Sequence, residues 1–232
     1  MKKILFTLTL MLLANYAVAK NRPVVAVIDF KNETTAPWWQ NGVGRELSDM
    51  LSNELLGTGV FKVVERKKLD SVLTEQDLGA SGRVSRSTAA KMGRITGAQY
   101  LITGSVASYE ESGSKGGRFS FKGIAVGGNR RTVSMGIDIR VVNATTGEIE
   151  YARTVEATAK NGGLSVGLFR GGFGGTLGGE KKTPVGKAIR AVLIEATDYL
   201  ACVMYDQDSC VNEYRAKERK RRSKTRKSIR LD

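Results

Sequence analysis

Histidine is absent from this chain of 232 residues, and cysteine occurs only twice. With no imidazole there is no histidine general base, no Ser-His-Asp or Cys-His catalysis, and none of the commonest zinc sites. Two thiols without a third sulfur or an imidazole leave a structural metal shell unfilled. Proline is also scarce, at 3 residues against 27 glycines, and aromatic residues make up only 7%. Beyond the first residues, no apolar run approaches the ~20 residues that a spanning helix needs. Nucleotide chemistry leaves no trace either. Gly186-Lys187 lacks the preceding glycine spacing and the following Ser/Thr of a P-loop. The glycines after residue 160 open no dinucleotide fingerprint. Asp29 and Glu33 are the nearest approach to a carboxylate pair, and core-edge and loop roles suit them better. The chain is therefore read as a non-enzyme, with no catalytic residue, cofactor or metal.

What is present begins with an export signal. Lys2 and Lys3 precede an almost continuous apolar run from Ile4 to Leu13, and Ala17-Val18-Ala19 supplies a small-x-small cleavage pattern. Residues 1–19 are expected to be removed, which makes Lys20 the mature N-terminus and places the protein in the periplasm or at the periplasmic face of an outer membrane. No cysteine precedes Cys202, so no lipid can be attached at that cleavage site. In an oxidising compartment Cys202 and Cys210 are candidates for one disulfide, with two free thiols as the alternative.

The body alternates strands and helices. Val24 to Phe30 is a nearly continuous apolar run, as a buried strand requires. Asn32 to Gln40 is a polar loop carrying Trp38 and Trp39, the only tryptophans. Val43, Leu47, Met50, Leu51 and Leu55 have helical spacing. Phe61 to Glu65 is a second strand. Helices are predicted around Leu69–Leu73 and over Ser85–Ile95, the latter with Ala89, Met92 and Ile95 on one face. Strands are predicted over Gln99–Tyr109, Thr132–Asn143 and Glu148–Ala159, with a hairpin turn at Thr145-Thr146-Gly147. Pro184 to Met204 forms a long amphipathic helix with proline in its first turn. The fold class is α/β, a mixed sheet flanked by helices.

Two inserts fall outside that pattern. Residues 114–131 and 161–182 hold 14 of the 27 glycines. Phe119 and Phe121 alternate around Ser120, and Val166 and Leu168 around Gly167. Extended into their flanks, both inserts reach the ~9–11 residues per strand of a transmembrane β-hairpin. Periodicity alone favours flexible loops over such hairpins.

The motifs resemble one family. Val24 to Phe30 (VVAVIDF), Val63-Val64-Glu65-Arg66 with Leu73-Thr74-Glu75-Gln76, Gly97 to Val106 (GAQYLITGSV) and Val141 to Ile149 (VVNATTGEI) follow one another as in the curli secretion channel (CsgG) family. The resemblance covers about Pro23 to Tyr205 and makes residues 20–214 a CsgG-like α/β domain. It implies a ring in which each protomer adds two β-hairpins to one oligomeric outer-membrane barrel. Those hairpins arise at the two insert positions, with Phe119, Phe121, Val166 and Leu168 as the lipid-facing set. It also implies a channel for export of unfolded polypeptide, narrowed by the loop before the first helix. Trp38 and Trp39 are the matching constriction residues, with a simple cap on the core as the alternative. The missing lipid-bearing cysteine and the glycine-rich, aromatic-poor inserts depart from the family. They keep open a non-spanning periplasmic ring or scaffold component of a larger envelope secretion or motility complex. The implied partners are further copies of the chain and other cell-envelope secretion proteins.

The last 18 residues concentrate the charge. Residues 215–232 carry ten basic side chains against Glu218 and Asp232, more than half of the chain's net +14. Such a block is expected to be disordered or a frayed helix. The export signal argues against nucleic acid as its partner. Anionic lipid or an acidic protein fits the compartment, and a merely solvated tail is the alternative.

Overall fold

The computed structural model describes residues 20–115, 119–121, 124–126, 129–160 and 183–229. The export signal at 1–19, and Val166 and Leu168 in the second insert, lie outside these residues. The sheet runs in the order β3-β1-β4-β7-β8. Its strands are β1 (Val24–Val27), β3 (Lys62–Val63), β4 (Tyr100–Lys115), β7 (Asn129–Asn143) and β8 (Ile149–Lys160), and β2 (Lys31–Asn32) pairs with β4 beyond the end of β1. β1 is parallel to both β3 and β4, whereas β7 is antiparallel to both of its neighbours, β4 and β8. The sheet is therefore mixed, as its sequence pattern requires.

Four helices complete the described fold: α1 (Val43–Gly57), α2 (Leu69–Ala80), α3 (Pro184–Ala201) and α4 (Ser209–Ser228). α1 and α3 pack on each other and on the sheet. Alternation along the strands decides which face they cover. Ile102 and Val106 of β4, and Val133, Met135, Ile137, Ile139 and Val141 of β7, are buried, while Ser134, Asp138 and Arg140 between them are more open. Leu47, Leu51, Leu55, Ile189, Val192, Leu193 and Leu200 supply the helical half of the core. Each such side chain contributes roughly 1.5–3 kcal/mol of transfer free energy. α3 starts cleanly because the Thr183 hydroxyl accepts from the Gly186 amide at 3.1 Å and proline occupies the first turn. The β7–β8 turn is held by Asn143, whose side-chain oxygen accepts from the Thr145 amide at 2.9 Å, and by Gly147 at φ +76°.

Three segments differ from expectation. Ser85–Ile95 is irregular with turns, not a helix. Its apolar stripe finds nothing to cover it, since Met92 is 59% and Ile95 39% exposed. Most helical stability comes from such burial, and a short segment without it is marginal. α3 ends at Ala201 and passes into a π-turn, Cys202–Asp206, where one continuous helix was expected. Residues 215–228, expected to be disordered or a frayed helix, continue α4 to Ser228. Arginine and lysine are good helix formers, Asp208 caps the Cys210 amide at 2.8 Å, and Glu218 ties down two arginines.

In the first insert periodicity alone favours a loop and the family resemblance implies a hairpin; β4 and β7 stay paired to Lys115↔Asn129, and β5 (Phe119–Phe121) pairs with β6 (Ile124–Val126). An antiparallel ladder propagates its register residue by residue, so a strand anchored in the core carries pairing outward with little dependence on side-chain pattern.

One close approach controls how α1 meets the sheet. The Phe30 amide donates to the Gly44 carbonyl at 3.0 Å, and a Cβ on Gly44 would run into the Phe30 carbonyl oxygen. Gly44→Ala should therefore destabilise the domain by about 1–3 kcal/mol in urea unfolding. Gly97→Ala, which faces open space, should stay within about 0.5 kcal/mol of the parent.

Candidate functional site

Three features converge on surfaces that a core does not need. The first is the loop between β2 and α1. It is built by local hydrogen bonds: the Asn32 side-chain oxygen accepts from the Thr34 amide and hydroxyl at 3.0 and 2.7 Å, and the Trp39 amide donates to the Ala36 carbonyl at 3.1 Å. The loop presents Trp38 and Trp39 edge to face, with ring centroids 5.7 Å apart, and Trp38 lies 5.9 Å from Tyr109 of β4. Both tryptophans are half-buried against the core cluster. The Trp38 indole nitrogen is buried without a hydrogen-bond partner among the described residues.

Beside this loop, Lys67 gathers charge. Its ammonium lies 2.5 Å from Asp49 and 3.3 Å from Asp29, and it donates to the Ser48 hydroxyl at 2.5 Å. Asp29 is thus an ion-pair partner, and Glu33 donates its backbone amide to the Val106 carbonyl. Nothing brings the two carboxylates together as a catalytic pair.

The second feature is the ribbon formed by β4 and β7 beyond β2. Its ladder carries one bulge, between Val106 and Ser108, and then runs unbroken to Lys115. Glu111 and Arg131 form an ion pair across it at 2.7 Å. Phe119 and Phe121 sit in β5, next in sequence after β4.

The third feature is the C-terminal pair of helices. Cys202 and Cys210 form a disulfide with a Cα–Cα distance of 6.0 Å. It closes the π-turn against the first turn of α4, for roughly 2–3 kcal/mol of chain entropy. Arg153 of β8 then joins α3 to α4. Its guanidinium lies 5.1 Å from the Tyr199 ring and 4.7 Å from the Tyr214 ring, and it donates to the Tyr214 carbonyl at 3.2 Å. Burial raises the hydroxyl pKa of both tyrosines, so both stay neutral. Further along α4, hydrogen bonds from Arg221, then from Arg222, outweigh burial and lower the Glu218 carboxyl from its usual 4.5 to about 2. Residue type alone singled out the tryptophans and cysteines. Arg153 and Glu218 escaped notice because their partners are distant in sequence or lie within a charge run.

The comparisons bear on the whole chain. The model of the family "Curli production assembly/transport component CsgG" matches residues 8–229. Proteins of that name from Salmonella typhimurium and Escherichia coli K12 are each 26% identical over 159 residues, covering 63% of this chain. The matched stretch spans 57% of the length of those curated relatives. Among solved structures, the hypothetical protein CT253 of Chlamydia trachomatis aligns with a TM-score of 0.47 at 13% identity, over 80% of this chain and 99% of its own. A PelC dodecamer of Paraburkholderia phytofirmans aligns with a TM-score of 0.39 at 15% identity, over 75% of this chain and 86% of its own.

The Glu218 cluster has a pH signature. A carboxyl whose folded pKa is depressed contributes stability that is fully present above its unfolded value, near 4.5, and is lost as pH falls toward 2. Glu218→Gln should lower the helical circular dichroism of α4 at pH 6. The difference from the parent should close between about pH 4.5 and 2. A difference that persists at pH 2 would show that the carboxylate is not its source.

Proposed function

We infer the function from one premise: this chain belongs to the CsgG family of curli production assembly/transport components. Membership supports an exported, envelope-associated component of assembly or transport. We propose more specifically that the chain is a protomer of a ring-forming outer-membrane channel that exports unfolded polypeptide, the two inserts supplying β-hairpins to a shared barrel.

The observation that carries this reading is the ribbon of β4 and β7. Three residues of β4, Gly113 to Lys115, stay paired with Asn129 to Arg131 of β7 beyond the last β7–β8 pair, Thr132↔Lys160. At about 3.4 Å per residue they carry the ladder ~10 Å past the three-stranded sheet, the start of a hairpin that the rest of the insert would have to complete to cross the ~25 Å apolar band of an outer-membrane barrel. A two-stranded ribbon is at best marginally stable alone, and closure into a barrel removes its edges. The second insert, 161–182, lies between β8 and α3, so both inserts join elements at the same side of the sheet order. Further copies also suit the exposed apolar residues Val72, Leu73 and Leu78 of α2, with Met92 and Ile95 beyond it, which a neighbouring protomer would cover.

The alternative is a periplasmic ring or scaffold component that does not span the membrane. It is favoured by the glycine content of the inserts, which leaves few side chains to face lipid. A charge facing lipid at mid-depth costs roughly 2–4 kcal/mol. Phe121→Arg and Leu168→Arg should therefore abolish recovery in the outer-membrane fraction while the α/β domain still folds. Variants that fractionate like the parent would leave the scaffold reading standing.

The constriction assignment is tested separately. The tryptophans are half-buried, so part of each ring is free to meet a passing chain. Replacing Trp38 and Trp39 together by alanine should raise single-channel conductance with a modest loss of stability. A large stability loss with unchanged conductance would make the pair a cap on the core.

A further inference from the structure

α4 stands off from the edge strand β8, and the gap is a cleft of about 740 Å³. One wall is the outer part of the sheet, with Asp138 and Arg140 of β7 and Tyr151 to Thr154 of β8. The other is α4, and Tyr199 of α3 and Val203 of the π-turn lie between them. Six arginines line the cleft against two carboxylates.

Both carboxylates are already engaged. Asp138 accepts from the Thr154 hydroxyl at 2.6 Å, and Glu218 is held by Arg221 and Arg222 at 2.9 and 2.7 Å. Arg140, Arg153, Arg215 and Arg219 have no ion pair among the described residues. Arg153 lies against Tyr199 and Tyr214, and its Nε is buried with no hydrogen-bond partner among the described residues. Four uncompensated guanidinium groups around one concave space create a field that calls for an anion.

The distribution of residue type along α4 makes this a site and not only a charged tail. Every basic residue of α4 that lines the cleft is an arginine: Arg215, Arg219, Arg221 and Arg222. The lysines of the same helix, Lys217, Lys220, Lys224 and Lys227, are absent from the lining, as is Arg226 in the last turn. Positions 215, 219 and 222 follow the i, i+4, i+7 spacing of one helical face. A purely solubilising or polybasic tail has no reason to segregate the two. Guanidinium is weakly hydrated and planar, and its fork matches the oxygens of phosphate, whereas ammonium is a strongly hydrated point charge.

We propose that this cleft is a binding site for a phosphate ester, its phosphate held between Arg140 on β7 and Arg215 and Arg219 on α4. The organic part of the ligand rests on the apolar lining formed by Val203 and Val211. The phosphate is carried either by a small soluble ester or by a lipid headgroup.

Calorimetric titration of the full mature chain with sn-glycerol 3-phosphate, and flotation with phosphatidylglycerol vesicles in phosphatidylcholine, test the site and separate its sources. Saturable binding to the soluble ester assigns a free ligand, and binding to vesicles alone assigns a headgroup. In either case Arg140→Gln with Arg219→Gln should weaken binding about tenfold or more, as expected on removing charged partners. Lys220→Gln with Lys224→Gln, the same charge change outside the cleft, should stay within about twofold, the scale of a screened surface charge. Equal losses in the two pairs would reduce α4 to a polybasic surface and overturn the site. So would no saturable binding to either probe, or equal competition by a polyglutamate peptide, which would make an acidic polypeptide the occupant. Should the arginine pair fail to fold, Arg219→Lys keeps the charge and loses the fork. Weaker binding by that variant supports the site, and unchanged binding overturns it.

Discussion

Fifteen of the sixteen residues of β4 are paired with β7 in one main-chain ladder, and the other features take their positions from it. Its core half buries Ile102 and Val106 beside Ile137, Ile139 and Val141, which gives α1 and α3 a surface to pack on. Its outer half follows one register shift, at the bulge between Val106 and Ser108, and is then paired without interruption to Lys115. A one-residue slip would turn the whole buried set of β7 to the opposite face, so the core fixes the register that the ribbon inherits. The ribbon needs no strong pattern of its own, and its glycines are tolerated because the anchor lies elsewhere.

A second constraint acts at the other edge of the sheet. Among the described residues β8 has no strand beyond it, and open edges are liabilities. The chain meets this by bringing a basic helix alongside. The disulfide closes the turn after α3, and Arg153 pins α4 through Tyr199 and Tyr214. Farther out, Arg221 approaches Glu156 of β8 at 3.8 Å. Exposed pairs of that kind contribute at most about 1 kcal/mol. α4 is thus firmly seated at its start and loosely at its end, and the cleft runs along it from Val211 to Arg222.

Much of this was legible in the residues. The apolar run at Val24–Val27, the stripe of α1, the clean amphipathicity of α3 and the Asn143–Gly147 turn each follow from local rules, and the structure has them. The failures share a cause. At Ser85–Ile95 the helical period is present, but the partner that would bury Met92 and Ile95 is not. In the first insert the side chains argued for a loop, while strand pairing was dictated from the length of β4 and β7, which the local window does not see. The charge density of α4 suggested disorder because its stabilising contacts, Asp208 to Cys210 and Glu218 to two arginines, are small features inside a long basic run. The cleft was invisible for a stronger reason: Arg140, Arg153 and Arg219 are distant in sequence, and only the fold brings them to one space.

The central claim is that the ribbon of β4 and β7 continues as a membrane hairpin in a ring of identical protomers. Electron cryomicroscopy of the protein extracted from outer membranes with detergent tests it most directly. The account predicts a closed ring whose α/β domains surround one face, with a single β-barrel rising from the β4–β7 side and bearing the detergent belt. Monomers, or a ring without a barrel and without a detergent belt, would contradict it.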